Sequence, residues 1–144
     1  MPERDLVTGV VQLGNLLTRR LAPVFARSNI TPQQWSVLSV LAAAGEPMTL
    51  ASVAREMLVS KQNMTGMVAR LEQLGLAERG GDPTDLRSAR VSLTRRGRGL
   101  VEKLRPAYQQ WLESVAGGTL NDRDLQALTR MIDRLIGTLE QLDS

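Results

Sequence analysis

The sequence predicts a mainly helical fold carrying a small β element of two or three strands, and three observations support that expectation. Helix-capping residues recur at Thr31, Thr49, Ser60, Thr94 and Asn121, each ahead of apolar residues spaced three and four apart. Aromatic residues make up only 3% of a chain that is 42% hydrophobic, so the core must be built from Leu, Val, Ile, Ala and Met, which suits helices packing on helices. Only between Gly75 and Thr94 does the pattern leave the helical period.

The first helix is expected over residues 5–27, where Leu6, Val10, Leu13, Leu17, Leu21 and Val24 form a stripe and Pro23 is placed to kink or shorten it. Thr31-Pro32-Gln33-Gln34 is a capping box with proline at the first helical position, and Ile30 and Trp35 stand where a hydrophobic staple would. That helix should end near Ala44, at Gly45. Thr49 then caps a short helix to about Met57, with Met48 and Val53 as staple. Ser60 caps the next to about Leu74, with Val59 and Met64 as staple and Gly75 closing it. Three helices in quick succession, the last two joined by a two- or three-residue turn, make a helix-turn-helix.

Leu76 to Arg79 reads as a short strand and Gly80-Gly81-Asp82-Pro83 as a turn. Ala89, Val91 and Leu93 alternate with Arg90 and Ser92 as a half-buried strand should. Two strands around a loop, directly after such a helix, make a wing. Thr94 caps a long helix carrying Leu100, Leu104, Tyr108, Trp111 and Val115, in which Pro106 is expected to introduce a kink or a split; Gly117-Gly118 ends it. Asn121 caps a last helix whose Leu125, Leu128, Ile132, Leu135, Leu139 and Leu142 follow alternating steps of three and four, a coiled-coil seam.

A chain of 144 residues suffices for a single domain spanning 1–144. Within it, 30–97 reads as a winged helix-turn-helix lobe, and 5–27 with 98–144 as a helical lobe. The apolar runs fall short of the roughly 18–20 residues that span a bilayer, and no basic, apolar leader opens the sequence. A soluble cytoplasmic protein with no membrane partner is the expectation. Without Cys there is no disulfide framework or thiolate site, and without His the usual general base and commonest metal ligand are missing. Neither catalytic residues nor a metal or cofactor is therefore expected. The net charge is +3, but its distribution is uneven. Residues 70–105 hold nine basic and five acidic side chains, whereas 106–144 hold three and six. Concentrated positive charge is the footprint of a phosphate-binding surface, although a solvated Arg-rich helix face would give the same count.

In the helix after Ser60, Met64, Met67, Val68, Leu71 and Leu74 share the side that faces the core. Gln62, Thr65, Gly66, Ala69 and Gln73 lie opposite, with Lys61, Asn63 and Arg70 on the flanks. Amides and hydroxyls able to address base edges thus cluster at the N-terminal end, where a major-groove helix makes its base contacts. Gly66 costs such a helix about 1 kcal/mol against Ala; close approach of bare backbone to DNA explains it, and a plain solvent-facing surface does not. In the wing, Arg87 suits the narrow, negative minor groove, and Asp85 can orient its guanidinium. The plain alternative is a surface ion pair worth about 0–1 kcal/mol.

From Ile30 to Gly97 the chain resembles the MarR family of bacterial regulators. The likeness is carried by ITPQQWSVL, by SKQNMTGMVARLEQLGL and by DPTDLRSARVSLTRRG, where Asp85-x-Arg87-Ser88 precedes Leu93-Thr94-x-x-Gly97. The flanking helices fall where that family has its dimerisation helices. The resemblance implies DNA roles for Ser60, Lys61, Gln62, Asn63, Thr65, Gly66 and Arg70, and for Asp85, Arg87 and Ser88. It also implies a homodimer on pseudo-palindromic double-stranded DNA, in which Leu6, Val10, Leu13, Leu125, Leu128, Ile132, Leu135 and Leu139 would form the interface. Members of the family often release DNA when a small aromatic acid or phenol enters a crevice beside the dimer helices. Arg19, Arg20, Trp35 and Tyr108 are the candidates here to receive such an effector, although Trp35 equally suits the core. The absence of Cys excludes the peroxide-sensing mechanism of one branch, and the lack of an acid beside Trp35 weakens any likeness to the urate-responsive branch.

Two other function classes compete with this reading. An enzyme would need a nucleophile–base pair, clustered carboxylates or a phosphate-cradling glycine loop, and Gly97-x-Gly99 inside a helical pattern is a weak match. A helical protein-interaction module could use the same winged fold without reading DNA, in which case Arg87 would be dispensable.

Overall fold

Every helix begins where a side chain occupies its first free amides. In the computed structural model, which describes residues 4–81 and 89–142, α1 spans Leu6–Ala26 and starts at Asp5, whose Oδ1 accepts from the Thr8 amide at 2.8 Å. That backbone N–H, aided by the Thr8 hydroxyl, holds the Asp5 carboxyl below its ordinary value. Helix α2 spans Pro32–Ala44 with the expected reciprocal box: Thr31 Oγ1 accepts from the Gln34 amide at 3.1 Å, and Gln34 Oε1 from the Thr31 amide at 2.8 Å. Gly45 closes it in the left-handed conformation, at φ 68°.

Helices α3, Leu50–Met57, and α4, Lys61–Gln73, are capped by Thr49 and Ser60 as expected. The three-residue turn between them is fixed by Leu58, a leucine at φ 56°, with its amide donating to Arg55 and that of Val59 to Ala54. Helix α5 runs Arg95–Ala116 and α6 Asp122–Leu142. Asn121 and Asp124 cap each other at the start of α6: Asn121 Oδ1 accepts at 2.8 Å and Asp124 Oδ2 at 3.1 Å. Pro106 does not split α5. Proline removes the donor to the carbonyl of residue 102, and both Glu102 and Pro106 are exposed, so water can satisfy that carbonyl. Pro23 is accommodated in α1 in the same way, opposite exposed Arg19.

Three short strands, β1 (Met48–Thr49), β2 (Ala77–Gly80) and β3 (Arg90–Leu93), form an antiparallel sheet in the order β1-β3-β2 among the described residues. Ala77 pairs with Leu93 and Gly80 with Arg90, while Met48 pairs with Val91. The fold class is the expected one, mainly helical with a small sheet.

The chain divides into two compact units, one ending at Pro106 and one beginning at Ala107. The first holds the core: Phe25, Trp35, Val37, Leu38, Val53, Met64, Val68, Leu71, Val91 and Val101 are buried. Phe25 stacks on Trp35 with ring centroids 5.0 Å apart and 21° between planes, pinning the end of α1 to α2. The second, formed by the end of α5 and by α6, buries no residue of α6 fully. Among the described residues no helix is long and apolar enough to cross a membrane.

Candidate nucleic-acid interface

The interface is built on α4, whose inner face is anchored by Met64, Val68 and Leu71, all fully buried; Met67 and Leu74, expected on the same side, are half-buried. With the helix seated this way, Lys61, Gln62, Asn63, Gly66 and Arg70 are exposed. They form one outward surface that begins at the helix N-terminus, where free amides and the helix dipole favour anions.

Ser60 has two duties there. Its Oγ accepts from the Asn63 amide at 3.0 Å, which leaves the hydroxyl proton available to an incoming phosphate oxygen. Thr65 is committed differently: its hydroxyl donates to the Lys61 carbonyl at 2.9 Å, so it can offer a partner only lone pairs and its methyl group. Arg70 Nη1 donates to Gln73 Oε1 at 3.3 Å on the exposed face. A Cβ added at Gly66 would meet nothing within 4 Å, so packing within the chain does not require glycine there.

The C-terminal end of α4 is fixed by residues that were not among the sequence candidates. Glu72 Oε1 accepts from Arg79 Nε at 2.8 Å, tying α4 to β2; both side chains are about one-third exposed. Gly75, at φ 74°, makes the turn into β2. The Thr94 hydroxyl donates to the Gly75 carbonyl at 2.7 Å and accepts from the Gly97 amide at 3.0 Å, while the Thr94 amide donates to the Leu76 carbonyl at 3.1 Å. Gly97 is buried against Leu76, where any Cβ would overlap the Leu76 carbonyl oxygen. These contacts join the exit of α4, the return strand of the wing and the start of α5. The Leu93-Thr94-x-x-Gly97 stretch is the signal in the sequence that marks this junction. Nothing in the sequence singled out Arg79 with Glu72, a pair seven residues apart that meets only across a turn.

Asp85, Arg87 and Ser88 lie outside the described residues; the strands that lead to them, β2 and β3, present exposed Arg79 and Arg90. Among the effector candidates, Trp35 is 5% exposed and stacked on Phe25, which makes it a core residue in this structure. Arg19 and Arg20 are exposed on α1 in the first unit, and Tyr108 is half-buried in the second. Arg19 borders a cavity of about 410 Å³ together with Arg4, Gln12 and Leu16, and Trp35 does not line it. Of the interface candidates, Leu6, Val10, Leu13, Leu128, Ile132, Leu135 and Leu139 are all exposed, and Leu125 is half-buried.

The sequence profile of the MarR family matches residues 28–88. An HTH-type transcriptional regulator of Mycobacterium bovis is 32% identical over 126 residues, covering 87% of this chain and 86% of that protein. In three dimensions the chain is similar to MepR of S. aureus, solved as a complex with DNA, with a TM-score of 0.79 at 17% identity and 94% and 96% of the two chains covered. It is also similar to NadR in complex with 4-hydroxyphenylacetate, with a TM-score of 0.76 at 22% identity and coverage of 97% and 100%.

Proposed function

The chain belongs to the MarR family of transcriptional regulators, and from that premise we propose that it acts in the cytoplasm as a homodimeric, ligand-responsive repressor on pseudo-palindromic double-stranded DNA. The observation that carries this reading is the outward surface of α4: Lys61, Gln62, Asn63, Gly66 and Arg70 are exposed together on a helix whose other face is buried. Such a helix enters the major groove with Ser60 and Lys61 on phosphate, Gln62 and Asn63 on base edges, Thr65 on a thymine methyl, and Arg70 further along the backbone. Arg87, oriented by Asp85 and flanked by Ser88, reads the adjacent minor groove. MepR, a neighbour in fold, was solved on DNA, and this supports the same placement. The work of the protein is binding and not catalysis.

Residues 30–97 serve as the DNA-binding lobe, and 5–27 with 98–144 as the dimerisation lobe. The support is the exposed apolar surface of the terminal helices, where Leu6 is 64% and Ile132 44% exposed. Such stripes mark an interaction surface, and a two-fold dimer covers them with a second copy of themselves. A small aromatic or phenolic acid is the effector class, as NadR with its 4-hydroxyphenylacetate suggests, and Arg19, Arg20 and Tyr108 remain the residues proposed to meet it. Trp35, the fourth candidate, is stacked on Phe25 in the core, which favours its structural reading over a stacking face for the ligand.

Selection of bound duplexes from a random DNA pool at near-physiological salt tests the whole reading. Enrichment of a palindrome with half-sites about ten base pairs apart is the expected result. Salt-insensitive binding, or none at all, would favour a protein-interaction module.

A further inference from the structure

Leu58 occupies the turn between α3 and α4 in the left-handed conformation, at φ 56° and ψ 40°. Its amide donates to the Arg55 carbonyl at 3.2 Å and that of Val59 to the Ala54 carbonyl at 3.1 Å, the bond pattern of a Schellman turn. Glycine is the residue that fits this position, since a Cβ crowds the following carbonyl oxygen there. The chain keeps to that rule elsewhere. Gly45 closes α2 at φ 68° and Gly75 follows α4 at φ 74°, while Asn29 serves after α1 at φ 59°. Leucine tolerates the conformation worse than either residue. Burial does not offset the strain, because Leu58 remains 53% exposed, whereas the flanking Met57 and Val59 are half-buried. A strained backbone and an exposed apolar side chain both weigh against the isolated chain, so its own folding does not account for leucine here.

The position of the residue does. Leu58 stands two residues before Ser60, the cap of α4, so its Cα lies within about 8 Å of the residue proposed to meet a phosphate. Lys61, Gln62 and Asn63 are exposed just beyond it. We propose that Leu58 is a further DNA contact, its methyl groups lying on apolar carbon of the duplex at the mouth of the major groove, either a thymine C5 methyl or a deoxyribose. The inference rests on the reading of α4 as the helix that enters that groove. DNA is the occupant because Leu58 continues the surface that α4 presents, and because the major groove offers apolar carbon in the thymine methyl. The contact is uncharged and releases no counterion, so it adds affinity without adding salt dependence.

The test compares the native chain with Leu58→Gly, Leu58→Asn and Leu58→Met on the operator enriched from the random duplex pool, by fluorescence anisotropy over a range of salt concentrations. Glycine and asparagine suit the left-handed turn, so both of those variants are expected to stay folded. Affinity is expected to fall about fivefold or more in both, the effect of leaving part of a leucine contact unmade, with an unchanged slope of log affinity against log salt. Leu58→Met keeps an apolar side chain of similar reach and is expected to hold the native affinity. Native affinity in Leu58→Gly and Leu58→Asn would overturn the proposal. A slope that falls together with affinity would overturn it too, because Leu58 would then act by placing Lys61. Operators with single thymines replaced by deoxyuridine separate the two carbon surfaces. A difference between native and Leu58→Gly that vanishes at one replacement assigns the contact to that C5 methyl; a difference that survives every replacement assigns it to deoxyribose. Failure of the native chain to bind any duplex is a distinct result, which would remove the reading of α4 and this contact with it.

Discussion

The hydroxyl of Thr94 donates to the carbonyl of Gly75 across 2.7 Å, and this one bond holds the end of the α4 turn against the first residue after the wing. Because the same oxygen accepts from Gly97, removing it leaves a part-buried carbonyl and a helix amide unpaired together. Thr94→Val should therefore destabilise the fold by about 1–3 kcal/mol in urea denaturation. Thr94→Ser keeps both bonds and should retain most of the stability; a Thr94→Val variant as stable as the native chain would show that the hydroxyl contributes nothing.

Gly66→Ala separates folding from DNA reading. No atom lies within 4 Å of the added Cβ, so the helix should gain up to about 1 kcal/mol and the melting temperature should rise. DNA affinity should fall in the same variant, measured by fluorescence anisotropy on the selected operator. Unchanged affinity would mean that the backbone at residue 66 does not approach the duplex.

Arg87→Ala should weaken DNA binding and lower the slope of log affinity against log salt by about one unit. An unchanged slope would remove the wing from the interface. The exposed Arg79 is a useful comparison, since it is already paired with Glu72 and its loss should affect stability more than the slope.

The apolar seam of α6 predicts an oligomer. Ile132→Glu combined with Leu135→Glu should give monomers, or chains that aggregate, in sedimentation velocity at micromolar concentration. A well-folded dimer of the double variant would place the interface elsewhere.

Asp5 gives α1 a pH dependence. Its carboxyl is held below the ordinary value in the folded chain, so its contribution is complete above the unfolded value and disappears as pH falls through the lowered one. Amide exchange at Thr8 should accelerate over that acid range, and Asp5→Asn should keep the cap while abolishing the change.

Much of this architecture was legible because helix caps are local. Thr31 with Gln34, Ser60 with Asn63 and Asn121 with Asp124 lie three residues apart, and each pair closes within its own turn. Strand β1 was not legible. Two residues, Met48 and Thr49, cannot show an alternation, and what makes them a strand is β3, some forty residues further on. The same limit applies to the Arg79–Glu72 pair, whose members meet only across the turn between α4 and β2. The surface of α4 was readable by periodicity, but the commitment of the Thr65 hydroxyl to its own helix was not. Pro106 was misleading only in degree: a missing donor splits a helix when the freed carbonyl is buried, and here it faces water.

Gly97 sits where its lack of a side chain lets α5 lie directly on the Leu76 backbone. The glycine in that stretch is thus demanded by how two segments stack, and no base pair is involved in the demand. A chain could change every outward residue of α4, and with it the DNA it selects, while leaving position 97 untouched. That stretch is consequently blind to target choice: it fixes how the scaffold closes, whatever sequence the outward face of α4 is made to read.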